Sequence, residues 1–182
     1  MRMVATIALI ACLGVLPPIL IAGSATAASR PDQPQPSAGT VKKCPKGTIW
    51  NKKKKKCVKT ESGVIPDRDL LAQATLLARS GEYEWAIAIL SVVRDKTDPE
   101  VLNMFGYSHR KAGRLETGIA YYRKALAIDP DYVLAREYLG EGLVSAGRLD
   151  LARAELAEIA VRCGTTCEEY IDLKETIGAA AP

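Results

Sequence analysis

The chain has 182 residues, with one Phe, one His and a formal net charge of +4 at pH 7. These counts exclude a large aromatic core and any metal site built from several histidines. The charge is unevenly spread: residues 30–61 hold ten basic and two acidic side chains, and residues 66–182 hold 14 basic and 19 acidic ones. The composition therefore predicts a basic arm joined to an acidic body.

Residues 1–27 predict a secretory signal peptide. A basic start is followed by the apolar run Val4–Ala22, which contains two prolines, and by small residues that end at Ala25–Ala27, the expected cleavage site. The run approaches the roughly 20 residues that span a bilayer, so an uncleaved inner-membrane anchor is the alternative. Cys12 ends a stretch similar to a lipobox, which leaves lipidation as a further alternative. We expect an exported, periplasmic protein.

Residues 28–63 predict a flexible linker that contains a small basic hairpin. The part up to Thr40 is rich in Pro, Gln, Ser and Gly and cannot bury a core. Cys44 and Cys57 then bracket an aromatic residue and five consecutive lysines. Export makes a Cys44–Cys57 disulfide chemically plausible, and closing this loop would contribute about 3 kcal/mol.

The lysine run has two interpretations. It is either a solvated, self-repelling segment or, held beside an exposed aromatic ring, a contact for anionic lipid headgroups, lipopolysaccharide or cell-wall polymers. Nucleic acid is not expected as a partner after export. The candidate polyanion contacts are Trp50, Lys52, Lys53, Lys54, Lys55 and Lys56.

From Pro66 onward the sequence is helical and repeats internally. Gly81, Gly113 and Gly147 are 32 and 34 residues apart. Each is expected to end a helix in the left-handed conformation that glycine adopts without strain. Small residues recur at fixed offsets from these turns, which lets the two helices of each pair approach closely. The small residues are Ala74 and Ala86, Gly106 and Gly118, and Gly140 and Ala152.

This spacing resembles the tetratricopeptide repeat (TPR) family, and the ending of the chain is similar to small exported alphaproteobacterial members. The resemblance implies an all-α helical-hairpin solenoid over residues 64–178, with three repeats at 67–98, 99–132 and 133–164. A capping helix at 166–178 would bring the number of helices to seven. The middle repeat fits best, through Leu102, Phe105, Gly106, Gly113, Gly118, Tyr122, Ala125, Asp129 and Pro130.

The predicted capping helix begins beside two cysteines, Cys163 before it and Cys167 at its start. Thr166 and Glu169 predict its start as a reciprocal cap, and Tyr170, Leu173 and Ile177 share the face that would cover the last repeat. For the two cysteines, a structural disulfide and a redox-active thiol pair are both open. The neighbouring acids oppose a thiolate, and redox motifs usually have two intervening residues rather than three. The favoured pairs are Cys44–Cys57 and Cys163–Cys167, and no zinc site is expected.

No catalytic set is recognisable, so we expect no enzymatic activity, cofactor or metal. His109 is interpreted as a packing residue. In the TPR family, partners bind in a concave groove lined by the first helix of each pair. The family's chaperone-tail clamp needs Lys and Asn where this chain has Leu71 and Thr75, so that activity is not implied. The candidate groove residues are Asn103, Tyr107, Arg110, Lys111, Glu137 and Glu141.

These residues would make the groove basic in one repeat and acidic in the next, which suits a mixed-charge peptide or helix, unless they are merely solvated. The predicted function is a non-enzymatic periplasmic scaffold that binds a protein partner. The alternative is an envelope polyanion-binding protein that acts through its lysines and uses the repeats to form a homo-oligomer.

Overall fold

The structure is a computed structural model that describes residues 44–45, 48–51, 54–59 and 65–180. The expected signal peptide, the Pro-rich part of the expected linker, Lys52 and Lys53 lie outside the described residues. Within them, none of the helices has the length and apolar character needed to cross a membrane. The elements are β1 (Thr48–Asn51), β2 (Lys56–Lys59), α1 (Asp67–Arg79), α2 (Tyr83–Leu90), α3 (Pro99–Lys111), α4 (Leu115–Ile128), α5 (Val133–Ser145), α6 (Leu149–Cys163) and α7 (Glu168–Ala180).

The first helix of each pair ends at a glycine, as predicted. Gly81, Gly113 and Gly147 have φ values of 85°, 84° and 71°. In the middle turn, the Gly113 N–H donates to the Arg110 carbonyl at 3.0 Å and the Arg114 N–H donates to the His109 carbonyl at 2.9 Å. These two bonds form a Schellman motif, which satisfies carbonyls that the helix end would leave unpaired.

Two glycines allow α3 and α4 to approach closely. A Cβ on Gly118 would lie 2.8 Å from the Gly106 carbonyl oxygen, and a Cβ on Gly106 would lie 2.5 Å from the ring of Tyr122, which is fully buried. Gly140 has a different role. A Cβ there would lie 2.4 Å from Leu173, so this glycine makes room for α7 rather than for α6.

The capping helix covers the last repeat with the face predicted for it. Leu173 and Ile177 are buried, and Tyr170 packs against the same cluster. The helix starts at Glu168, two residues later than predicted, and its first turn has the Ile171 N–H donating to the Cys167 carbonyl at 3.2 Å. Cys163 and Cys167 are joined by a disulfide, so the second cysteine stays in the turn before the helix.

The basic hairpin packs against the helices, which the sequence did not predict. Cys44 and Cys57 form a disulfide, and β1 pairs antiparallel with β2. Ile49 is fully buried in the core that contains Leu70. The Gln73 side chain accepts from the Trp50 N–H at 3.2 Å and donates to the Trp50 carbonyl at 3.0 Å. The hairpin is therefore held on α1 by an apolar contact and two hydrogen bonds.

Candidate partner-binding groove

Two tyrosines lie at the centre of the candidate groove, which we define as the surface formed by the first helices α1, α3 and α5 and by α7. The rings of Tyr107 on α3 and Tyr138 on α5 are 5.5 Å apart and tilted by 44°. Both rings are partly exposed. The Lys111 ammonium lies 5.8 Å from the centre of the Tyr107 ring, and Lys111 itself is exposed. This aromatic pair with an adjacent cation is a surface that a partner can reach.

Arg110 does not project toward a partner. Its side chain is 9% exposed, and its guanidinium donates to Glu141 at 2.5 Å and to the Tyr122 hydroxyl at 3.2 Å. Gly118 makes room for it, because a Cβ at that position would lie 2.8 Å from the Arg110 Cβ. The arginine thus joins α3, α4 and α5, and the alternation of basic and acidic repeats predicted from sequence is replaced by an internal ion pair.

Asn103 is also inside the fold. It is 1% exposed, and its amide donates to the Tyr132 hydroxyl at 3.2 Å, which ties α3 to the start of α5. Burial raises the pKa of Tyr132 to about 12, so that hydroxyl keeps its proton and remains able to accept from the amide. The Asn103 Oδ1 atom is buried without a hydrogen-bond donor among the described residues. Its role here is packing between helices.

Glu137 is a buried acid whose charge is not compensated. It is 6% exposed, and within the described residues no hydrogen bond or ion pair reaches its carboxyl group. Burial raises the pKa of Glu137 to about 8, and repulsion from Glu141, Asp172, Glu169 and Glu168 acts in the same direction. The sequence placed this residue in the groove but gave no sign that it is held neutral at neutral pH.

The structure therefore brings Tyr107, Arg110, Lys111 and Glu141 together and places Asn103 within the helix packing. Sequence reasoning missed Tyr138. It lies three residues before Glu141, so helical periodicity could have placed both on one face. It also missed that the acidic residues of α7 act on Glu137, because nothing local in the sequence says which residues of α5 the capping helix lies beside.

The model of the family described as tetratricopeptide repeat matches residues 103–166. Residues 103–166 therefore resemble tetratricopeptide repeats, and the helical domain has the fold of TPR proteins. The solved structures that share this fold include the following three. The first TPR of Spaghetti (RPAP3) bound to the HSP90 peptide SRMEEVD has a TM-score of 0.56 at 15% identity, over 64% of this chain and 94% of that one. No curated protein matches the chain by sequence.

The second structure is the Yersinia enterocolitica type III secretion chaperone SycD in complex with a peptide of the translocator YopD. Its TM-score is 0.55 at 19% identity, over 65% of this chain and 93% of that one. The third, MamA MSR-1 C2, has a TM-score of 0.52 at 23% identity, over 63% and 64% of the two chains. At sequence identities this low, the structural likeness shows the fold alone.

An apolar trough of about 680 Å³ lies between α2, α3 and α4. It lies beside α2, which has 8 residues where α4 has 14. His109 stacks on Tyr121 with ring centres 5.3 Å apart, and its Nδ1 atom accepts from Arg114 at 2.8 Å. Burial and the Arg114 charge lower the pKa of His109, which fits the packing role expected for it.

Cys163 and Cys167 are bonded to each other and so do not offer free thiolates to a metal ion. Cys163, Cys167 and Glu169 form the one group in the described part of the chain whose possible ligand atoms lie within 4.8 Å of one another. Both sulfur atoms belong to the disulfide. In the structure these two cysteines therefore serve as a disulfide crosslink between α6 and the turn before α7.

The described lysines of the basic hairpin face solvent. Lys54, Lys55 and Lys56 are exposed at its tip, where the Asn51 side chain accepts from the Lys54 N–H at 2.8 Å. Trp50 is half-buried rather than fully exposed. Three of the predicted polyanion contacts thus form an accessible cluster, and the aromatic ring beside them is partly covered.

Proposed function

We propose that the protein is an exported, non-enzymatic scaffold that binds a segment of a protein partner in the TPR groove. The observation that carries the proposal is the accessible Tyr107–Tyr138 pair between the first helices of neighbouring repeats, with Lys111 beside it. Two proteins with the same fold hold peptides, since RPAP3 is bound to an HSP90 peptide and SycD to a YopD peptide. Location outside the cytoplasm is part of the proposal and rests on the signal-like N-terminus.

Absence of enzymatic activity is supported by the matches and by the chemistry of the described residues. The matched family and the similar structures indicate no enzyme family. The one His is stacked between aromatic rings and accepts from an arginine, so it is not poised beside a nucleophile. The partly exposed groove tyrosines are suited to contact rather than to proton transfer, because burial raises their pKa values.

The test is site-specific photo-crosslinking in the cells that make the protein. A photoreactive amino acid replaces Lys111 in the groove or, as the control, Val161 on α6, which is 81% exposed. A protein adduct from the groove position and none from the control position is the expected result. Equal adducts from both positions, or none from the groove, would refute groove binding.

A second candidate function is contact between the hairpin tip and an anionic surface. It is favoured by the exposed cluster Lys54–Lys56 on a hairpin that α1 holds in place. Replacing these three lysines with serine should abolish retention on vesicles rich in anionic lipid at low salt. Retention that persists, or that is insensitive to salt, would rule this function out.

A further inference from the structure

The environment of Glu137 indicates what kind of partner segment the groove accepts. We propose that the groove selects a segment that inserts a lysine or arginine side chain between α5 and α7, where it pairs with Glu137. This inference rests on the proposed function and adds the chemistry of the partner. Glu137 would act as a specificity residue, and the tyrosine pair would supply contact that does not depend on charge.

Glu137 is unusual because its side chain is largely buried while no group of the described residues bonds its carboxyl oxygens, which keep some contact with solvent. Buried carboxyl groups are normally hydrogen-bonded or paired, since removing an ionised carboxylate from water is costly. Here the side chain is 6% exposed, and no donor among the described residues reaches it. Glu141, one turn further along α5, shows the usual solution, because it is paired with Arg110 of α3 at 2.5 Å. Glu137 lacks that compensation.

The charged groups around Glu137 are mainly acidic on each side of it. Glu141 lies one turn further along α5, and α7 contributes Glu168, Glu169 and Asp172. Tyr138 follows it on α5 and is held in its neutral form, because burial raises its pKa. These groups create a negative potential that a cation would enter favourably.

The cations on the surrounding helices have other partners or point away. Arg110 on α3 is paired with Glu141 and bonded to Tyr122, and Arg136 on α5 is paired with Glu155 of α6 at 2.9 Å. Lys174 lies two residues after Asp172, which turns it by roughly 200° around α7. Lys111 of α3 lies against the Tyr107 ring, and Arg79 of α1 acts on Tyr107 and Tyr138, but neither forms an ion pair with Glu137. A cation that pairs with Glu137 is therefore expected from a bound partner.

The arrangement favours an organic cation over a metal ion. Shared coordination of one ion requires several carboxylate oxygens close together. The carboxylates around Glu137 do not meet this condition, because in the described residues only the Cys163, Cys167 and Glu169 group has its ligand atoms within 4.8 Å. A lysine or arginine needs one carboxylate and gains from the faces of nearby tyrosines such as Tyr138. The ligand class is therefore a basic side chain on a polypeptide.

Pairing should also change the protonation of Glu137. The carboxyl group is mainly neutral at pH 7, because burial and the surrounding acids raise its pKa to about 8. A bound cation favours the ionised form, so binding at pH 7 should release close to one proton. Affinity should accordingly rise as the pH increases toward and through that pKa. A contact that is only structural would not release a proton.

The experiment uses labelled nine-residue peptide pools that are random except for the central position. That position is lysine, norleucine or glutamate, and norleucine is close in shape to lysine but lacks its ammonium group. Binding to the protein is measured by fluorescence anisotropy. The lysine pool should bind at least about 10-fold more tightly than the norleucine pool, as expected for a charge-assisted hydrogen bond.

Two variants locate the effect. Glu137→Gln should reduce the preference for lysine over norleucine to about 1 and should abolish proton release, measured by calorimetry in two buffers of different ionisation enthalpy. Glu175→Gln removes an exposed acid of α7, serves as the charge-matched control and should keep the preference. Circular dichroism confirms that both variants are folded.

The outcomes separate this inference from the proposed function. Equal binding of the lysine and norleucine pools, with binding lost in Tyr107→Ala, would overturn the inference and leave the groove function standing. A lysine preference that survives Glu137→Gln would also overturn it. Failure of every pool to bind would overturn both.

Discussion

Replacing Glu137 by glutamine should remove a loss of stability that the native chain suffers at alkaline pH. The pKa of this carboxyl rises from 4.5 to about 8 on folding, so the unfolded chain ionises first as the pH increases. Stability from this group is complete below about pH 4.5 and is lost progressively as the pH approaches 8. Each pKa unit corresponds to about 1.4 kcal/mol, so the native chain should lose about 4 kcal/mol between pH 5 and pH 9 through this residue.

Urea denaturation at pH 5, 7 and 9 with the disulfides intact measures this effect. Glutamine has nearly the same shape and does not ionise, so Glu137→Gln should match the native chain at pH 5. It should exceed the native free energy of unfolding by about 3–4 kcal/mol at pH 9. The exposed Glu175→Gln serves as the control and should follow the native chain at each pH. A constant difference between Glu137→Gln and the native chain would refute the claim that this carboxyl is buried and uncompensated.

Three further predictions concern the packing that supports the groove. Gly106→Ala should lower the free energy of unfolding in urea by about 1–3 kcal/mol, because the added Cβ meets Tyr122. The control Gly178→Ala has open space around it and should raise that free energy by up to about 1 kcal/mol. Equal effects of the two substitutions would contradict the close-packing argument. Gln73→Ala should raise the hydrogen-exchange rate of the Trp50 amide at least about 10-fold, because the two bonds from the Gln73 side chain to the Trp50 backbone are lost. An unchanged rate would show that the hairpin does not need these bonds. Replacing Cys163 and Cys167 by serine should cost about 2 kcal/mol by loop entropy and speed hydrogen exchange in α7, and unaltered exchange there would contradict a pinning role.

The features that the sequence could predict are those set by short-range geometry. The turn glycines end helices because few other residues adopt a left-handed backbone without strain, so their spacing predicted where the first helix of each pair ends. The apolar stripe that ends at Ile177 placed the capping helix on its correct face, since helical periodicity is local. Both cysteine pairs followed from short loops.

The features that the sequence could not predict depend on contacts between distant segments. Arg110 pairs with Glu141, which is 31 residues away in the sequence. When the charges of each repeat are considered separately, both residues are predicted to contact a binding partner instead of each other. The burial of Glu137 depends on how α7 lies against α5. The docking of the hairpin depends on Gln73, a polar residue with no distinguishing local pattern.

The most direct test of the groove is a nuclear magnetic resonance titration of the labelled protein with the lysine-centred peptide pool. Groove binding predicts amide shift changes clustered at Tyr107, Tyr138 and Glu141, with none at Leu151 and Val161 on α6, which is not a groove helix. Shifts centred on α6 or on the trough beside Tyr121, with the groove amides unmoved, would contradict the account.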